Sequence, residues 1–200
     1  MRRIPVLALF ALLLMAFRCR QDYPCAEDSY SFGVSGSFAP ASARVAVGDT
    51  VFFESVFPKS LYDSVSGRTI NYAGSRGIEG GVYIYQIDTV RHQFVRDSVS
   101  ARFFVLQGTA GEGGSTSQRF GFREDGSGYQ ARVGTIIQKP GIYVVFANGF
   151  DSLGLQGQEC GGASFRVRIP LPAASTALFQ QAMGRPPGMG EDELYTFRVQ

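Results

Sequence analysis

An all-β fold is what this 200-residue chain predicts: an immunoglobulin-like antiparallel β-sandwich of about 8–10 strands with one short C-terminal helix. Three observations point there. Four separate segments alternate apolar and polar residues with a period of two, as a strand with one buried face requires. The composition joins 17 Phe and 9 Tyr to 25 Gly with no Trp, which favours aromatic strands and tight turns over helices. Gly, Pro and Asn-Gly signals punctuate the chain between those segments.

In chain order, a leader comes first. Arg2 and Arg3 precede an uncharged apolar run over residues 4–17, and Cys19 follows almost at once. A positive start, a short apolar segment and polar sequence afterwards describe a secretory signal peptide. The run falls short of the roughly 20 apolar residues that a membrane-spanning helix needs. Residues 1–18 are therefore read as signal peptide, 19–28 as an N-terminal tether and 29–200 as the β-sandwich domain. Loss of Arg2, Arg3 and Arg18 lowers Lys plus Arg from 19 to 16 against 17 Asp plus Glu, so the net charge moves from +2 to −1. No surplus of positive charge then remains to attract nucleic acid, which is excluded as a partner class.

Strands are expected over residues 30–38, 43–47, 50–57, 82–87, 101–106, 119–123, 129–133, 141–146, 165–169 and 195–199. The clearest are Arg119-Phe120-Gly121-Phe122-Arg123, Tyr129-Gln130-Ala131-Arg132-Val133, Phe165-Arg166-Val167-Arg168-Ile169 and Tyr195-Thr196-Phe197-Arg198-Val199. The segments 50–57 and 141–146 are nearly unbroken apolar runs, which predicts central strands covered on both faces. Val47-Gly48-Asp49-Thr50 and Lys139-Pro140-Gly141 read as turns. Asn148-Gly149 reads as the start of a long connection, and residues 108–117 as a Gly-rich loop tip. A helix is expected over residues 174–183, with Pro172 ahead of it and Gly184 closing it, capping one end of the sandwich.

Three cysteines are an odd number for an exported chain. Lipidation of Cys19 as the mature first residue accounts for one and leaves Cys25 and Cys160 to form a disulfide. Such a bridge, closing a loop of about 135 residues, is worth roughly 4–5 kcal/mol in the loop-entropy account. Alternatives stay open. Phe17 and Arg18 stand where lipoprotein signal peptidases favour small residues, and Leu14-Met15-Ala16 does not make an ordinary cleavage site. Soluble secretion, an uncleaved anchor and three free thiols are the other readings.

A wider pattern follows. Val47-Gly48-Asp49-Thr50, Phe57-Pro58, Leu61, Asp63 and Ser66-Gly67, with Lys139-Pro140-Gly141-Ile142-Tyr143 and Cys160 later, resemble exported β-sandwich proteins of the Bacteroidota cell envelope, often lipid-anchored. The resemblance implies a lipoprotein of the outer membrane or cell surface, with a periplasmic or secreted soluble protein as the alternative. It supplies no catalytic residues. The function expected is non-catalytic binding or structural work, holding an envelope protein or a glycan. A small hydrolase acting on envelope or extracellular polymer is the rival, and an assembly factor that adds a partner strand to an open sheet edge is a third reading.

Chemistry-bearing residues are few. His92 is the lone histidine and reads as a solvated side chain in a polar connection. With Cys25 far from Cys160, no zinc-type ligand set forms, and neither metal nor cofactor is expected. Glu124-Asp125, Glu191-Asp192-Glu193, Asp49, Asp63, Asp88 and Asp151 read as solvated turns rather than a calcium loop. Gly111, Gly113 and Gly114 lack the Lys-Ser/Thr pair of a phosphate cradle. Arginine is the surface feature with content: Arg119, Arg123, Arg132, Arg166, Arg168 and Arg198 fall on polar faces of predicted strands. Were those strands neighbours, the guanidinium groups would form a stripe, with Arg132, Arg166 and Arg168 the candidate residues for an anionic glycan.

Overall fold

The computed structural model describes residues 29–96, 99–157, 162–185 and 193–200. Residues 1–18, read from the sequence as a signal peptide, and Cys19, Cys25, Cys160, Glu191 and Asp192 lie outside the described residues. Along the chain run β1 (Tyr30–Ala39), β2 (Arg44–Val45), β3 (Thr50–Phe57), β4 (Ser60–Asp63) and β5 (Arg68–Asn71). Then come β6 (Ile78–Asp88), β7 (Gln93–Val95), β8 (Ala101–Gln107), β9 (Thr109–Gly113) and β10 (Ser117–Gly121). The series ends with β11 (Arg123–Glu124), β12 (Tyr129–Ile137), β13 (Gly141–Ser152), β14 (Ala163–Arg168), helix α1 (Ala173–Met183) and β15 (Tyr195–Val199).

Strand β1 belongs to both sheets. Its first half pairs in parallel with β14, from Tyr30 opposite Ala163 to Ser35 opposite Arg168. Its second half pairs antiparallel with β3, from Gly36 opposite Ser55 to Ala39 opposite Phe52. At the changeover only glycine fits: a Cβ on Gly36 would stand 2.8 Å from Val167 and 3.0 Å from the Phe53 ring. The first sheet continues from β14 through β13, β6 and β10 to β9. In it β15 and β2 extend from β13, β4 and β5 from β1, and β7 from β6. The second sheet orders β1, β3 and β12, with β8 and β11 both on β12.

Aromatic rings fill the space between the layers in place of tryptophan. Phe53 and Phe57 on β3 reach across to the first sheet, where Phe53 meets Phe150 at 5.9 Å and Phe57 meets Phe165 at 5.6 Å between centroids. Phe120 and Phe122 join them, at 5.8 Å from Phe53 and 5.1 Å from Phe57. Each such pair adds about 0.5–1.5 kcal/mol beyond the area it buries.

The expected all-β sandwich with one C-terminal helix is what forms, and several details differ. Fifteen strands are present among the described residues rather than 8–10, because short ribbons such as β4–β5, β7 and β11 add to the main set. Two pairs, β1 with β14 and β2 with β15, are parallel. Asn148-Gly149 is no connection: it lies inside β13 as a bulge, with Gly149 at φ 68°. The extra residue shifts the alternation, so that Phe150 and Ser152 are buried and Asp151 is not. Residues 108–117 are not a loop tip, since β9 pairs with β10 across them. Strand β3 is not covered on both faces: it alternates, and Val56 is 65% exposed.

Helix α1 does not cap an end of the sandwich. Its Phe179, Ala182 and Met183 pack onto Ile87, Ile142 and Val144, on the outer face of the first sheet. Gly184 closes it in the left-handed conformation (φ 60°), its N–H donating to the Gln180 carbonyl. Ser175 fixes the docking by accepting the Thr196 N–H through its Oγ at 2.7 Å. No helix among the described residues is long and apolar enough to cross a membrane.

Candidate binding face

Strands β6 and β13 lie side by side and alternate in step. Val82, Ile84, Tyr143, Val145 and Ala147 face the inter-sheet core. Their neighbours Tyr83, Tyr85, Ile87, Ile142, Val144 and Phe146 face outward. Helix α1 covers Ile87, Ile142 and Val144 of this outer set, and Tyr85 packs against the edge of that cluster. Beyond its edge the apolar surface continues as aromatic rings.

Those rings form one strip. Tyr83 stacks on Phe146 with centroids 5.3 Å apart and planes 16° apart; Phe146 meets Tyr85 at 5.7 Å and 27°. Tyr85 meets Phe94 of β7 at 5.8 Å, and Phe94 touches Phe179 of the helix at 6.3 Å. The strip therefore emerges from under α1 and ends at Tyr83. Three of its rings are half-buried, and Phe94 is 41% exposed. Arg96 closes one flank, its guanidinium 4.9 Å above the Tyr85 ring and its Nη2 donating to the Tyr85 hydroxyl at 2.6 Å.

A groove of about 330 Å³ lies farther along β13, where Ala147 and Asn148 follow Phe146; none of the four strip rings lines it. Its origin is topological. Strand β13 is flanked on one side by two strands, β15 along residues 141–145 and β14 along residues 150–152. Among the described residues the backbone between them has no strand partner on that side, and the bulge at Asn148-Gly149 lies in the gap. Ser31, Asn148, Ser164, Arg166 and Glu193 supply its polar lining.

The predicted arginine stripe does not assemble. Arg166 and Arg168 do share a face, alternating on β14 with buried Phe165 and Val167. Arg132 lies on the second sheet, three strands away, because β3 and β1 intervene between β12 and β14. There its Nε approaches Glu54 Oε1 at 2.7 Å, too far off line for a hydrogen bond, and its guanidinium lies 4.3 Å over the Phe52 ring. Arg119 pairs with Glu79 at 3.3 Å. Arg123 lies on β11, and Arg198 on β15 faces Arg44 of β2.

Other candidates also take definite places. His92, at φ 53°, is exposed, and its Nδ1 is 2.9 Å from the Ala182 carbonyl at the end of α1. Asp63 is no solvated turn residue. It is 1% exposed and accepts N–H groups from Ser31 and Ser66 at 2.8 Å and from Val65 at 3.3 Å. Burial pushes its carboxyl up, but the N–H donors outweigh that and hold it at about 2. Glu124 accepts the Gly74 N–H at 3.0 Å, the Tyr129 hydroxyl at 3.1 Å and Lys59 Nζ at 3.1 Å. Burial again works upward, and these donors carry its carboxyl below the usual range. Among the described residues no group of three or more His, Cys, Asp or Glu side chains is placed to hold a metal ion.

The ring strip and the groove were missed by sequence reading. A signal existed: outward positions of β6 carry Tyr83 and Tyr85 where Ile87, under the helix, is aliphatic. Without the helix placed, that switch has no meaning.

No family model matches the chain, and no curated protein matches it. Among solved structures it is similar to a non-cellulosomal cohesin from the hyperthermophilic archaeon Archaeoglobus fulgidus. The identity there is 11% over 71% of this chain and 91% of that one, with a TM-score of 0.28. It is also similar to the CupB6 tip adhesin from Pseudomonas aeruginosa, at 15% identity over 74% of this chain and 43% of that one, with a TM-score of 0.19. At such low TM-scores neither likeness bears on function, and the architecture stands on the strand pairing described above.

Proposed function

We propose that this chain is a non-catalytic binding module of the cell envelope, exported and lipid-anchored through Cys19, that holds a glycan chain against the ring strip. The observation that carries the proposal is the run Phe94–Tyr85–Phe146–Tyr83 leaving the cover of α1, with Phe94 exposed and the other three rings half-exposed. Isolated surface aromatics need no explanation, whereas a continuous apolar strip rimmed by polar groups marks an interaction site. A sugar ring offers an apolar face of C–H bonds that stacks on an aromatic ring, and hydroxyls around its edge. Asn148, Ser164 and Arg166, in the groove farther along β13, can hydrogen-bond the hydroxyls of a chain that extends past Phe146. Arg166 has no ion-pair partner among the described residues, so it is left to meet an acidic sugar.

Anchoring and oxidation belong to the same reading: acylated Cys19, and Cys25 bonded to Cys160. The test is retention on a matrix carrying polysaccharide from the native envelope. Wild type is retained, and a Tyr83→Ser/Phe146→Ser variant with an unchanged circular dichroism spectrum elutes with the void. Equal retention of the two removes the strip as the site. Capture of a protein partner through the same rings, with no retention on polysaccharide, replaces the glycan by a protein.

A further inference from the structure

Strands β2 and β15 run parallel, and Arg44 and Arg198 are Cα partners in their register. Adjacent strands lie about 5 Å apart, so two guanidinium-bearing side chains leave the sheet side by side. Both leave it on the outer face. Val45, Phe197 and Val199 beside them are buried on the other side, and Arg198 is in register with Ile142, which lies under α1. Like charges directly opposite on neighbouring strands are destabilising. Neither arginine has a carboxylate within ion-pair distance among the described residues. Asp49, close by in sequence, is taken up in its own turn, accepting the Ala46 N–H at 3.1 Å.

The backbone holding the pair is fixed. Ser42 Oγ accepts the Arg44 N–H at 3.1 Å and donates to the Arg44 carbonyl at 2.9 Å. The Tyr195 hydroxyl accepts the Ser42 N–H at 3.2 Å and lies 2.6 Å from the Ser42 carbonyl. The arginines cannot relax apart by loosening β2 without breaking these contacts. They line a groove of about 380 Å³ whose other wall is α1, with Ala174, Ala177, Leu178 and Gln181.

We propose that this groove is a second binding site, separate from the ring strip, for an oxyanion with a short apolar body. The two guanidinium groups hold a phosphate or carboxylate head between them, each able to donate two parallel N–H bonds. The alanines and Leu178 of the helix cover the apolar part, and the Gln181 amide supplies one more donor. Binding removes the repulsion between Arg44 and Arg198, so the anion and the fold stabilise each other.

The test uses the purified full chain at low ionic strength, with hexyl phosphate, inorganic phosphate and phosphatidylglycerol vesicles as probes for titration calorimetry and thermal unfolding. Hexyl phosphate binds wild type and raises its Tm; Arg44→Gln and Arg198→Gln each weaken binding at least tenfold. Inorganic phosphate binds more weakly than hexyl phosphate, because the apolar wall is unused. Vesicle binding that falls in the same two variants identifies a lipid headgroup as the source. Vesicles without effect leave a free small molecule. With no anion present, each variant matches or exceeds the wild-type Tm, since it removes a repulsion. Unchanged hexyl phosphate affinity in both variants overturns the proposal. So does a lowered Tm without anion, which would make the arginines structural.

Discussion

Tyr83 lies over Gly81. A Cβ on residue 81 would stand 2.7 Å from the edge of the Tyr83 ring, so the missing side chain is what lets the ring fold down along β6 and present its face. Phe146 then stacks on it from the neighbouring strand. The first prediction follows: Gly81→Ala lifts the ring and costs little stability, within about 1 kcal/mol, because Tyr83 is only half-buried. Retention on envelope polysaccharide falls several-fold while the Tm barely moves, and both are read from one preparation.

Arg166 and Arg132 separate by face. Arg166→Ser, in the groove farther along β13, weakens retention, with the larger loss on acidic polysaccharide. Arg132→Ser, on the opposite sheet and paired with Glu54, leaves retention at the wild-type level. Equal losses would mean that the two surfaces are not distinguished by the ligand.

Phe53 connects the layers, touching Phe38, Phe120 and Phe150 from the centre of β3. Phe53→Ala empties a fully buried site and lowers unfolding free energy by about 3–5 kcal/mol in a denaturant titration. Phe52→Ala, one position along and on the half-exposed outer face, costs less than half as much.

Asp63 gives the fold an acid limit. Its carboxyl is held at about 2 against an ordinary 3.8, so the stability it contributes is fully present above the ordinary value and is lost as pH falls through about 2. The contribution is on the order of 1–2 kcal/mol. Asp63→Asn removes that limb of the stability-against-pH curve, leaving a smaller difference from wild type at pH 2 than at pH 6.

What the sequence made legible divides by how local the cause is. Phe165 to Ile169 and Tyr195 to Val199 were readable because each strand has one wet and one buried face, and period two records that directly. Strand β9 was not, because all five of its residues are exposed and no burial pattern exists to read. The bulge at Asn148-Gly149 imitates a turn: the same φ > 0 preference serves both. The sheet change at Gly36 is invisible locally, since the reason for glycine there is Val167 and the Phe53 ring from distant strands. The arginine stripe failed for a related reason: outward-facing positions are legible, but strand order decides which of them meet. The ring strip needed the helix placed before its uncovered half had meaning.

The central claim is that the rings from Phe94 to Tyr83 contact a glycan. Its most direct measurement is the NMR spectrum of the protein labelled at Phe and Tyr rings, titrated with oligosaccharides released from the native envelope. Shifts confined to Tyr83, Tyr85, Phe94 and Phe146 are the predicted result. Shifts at Phe52 and Phe104 on the opposite face, with that strip unmoved, would contradict it.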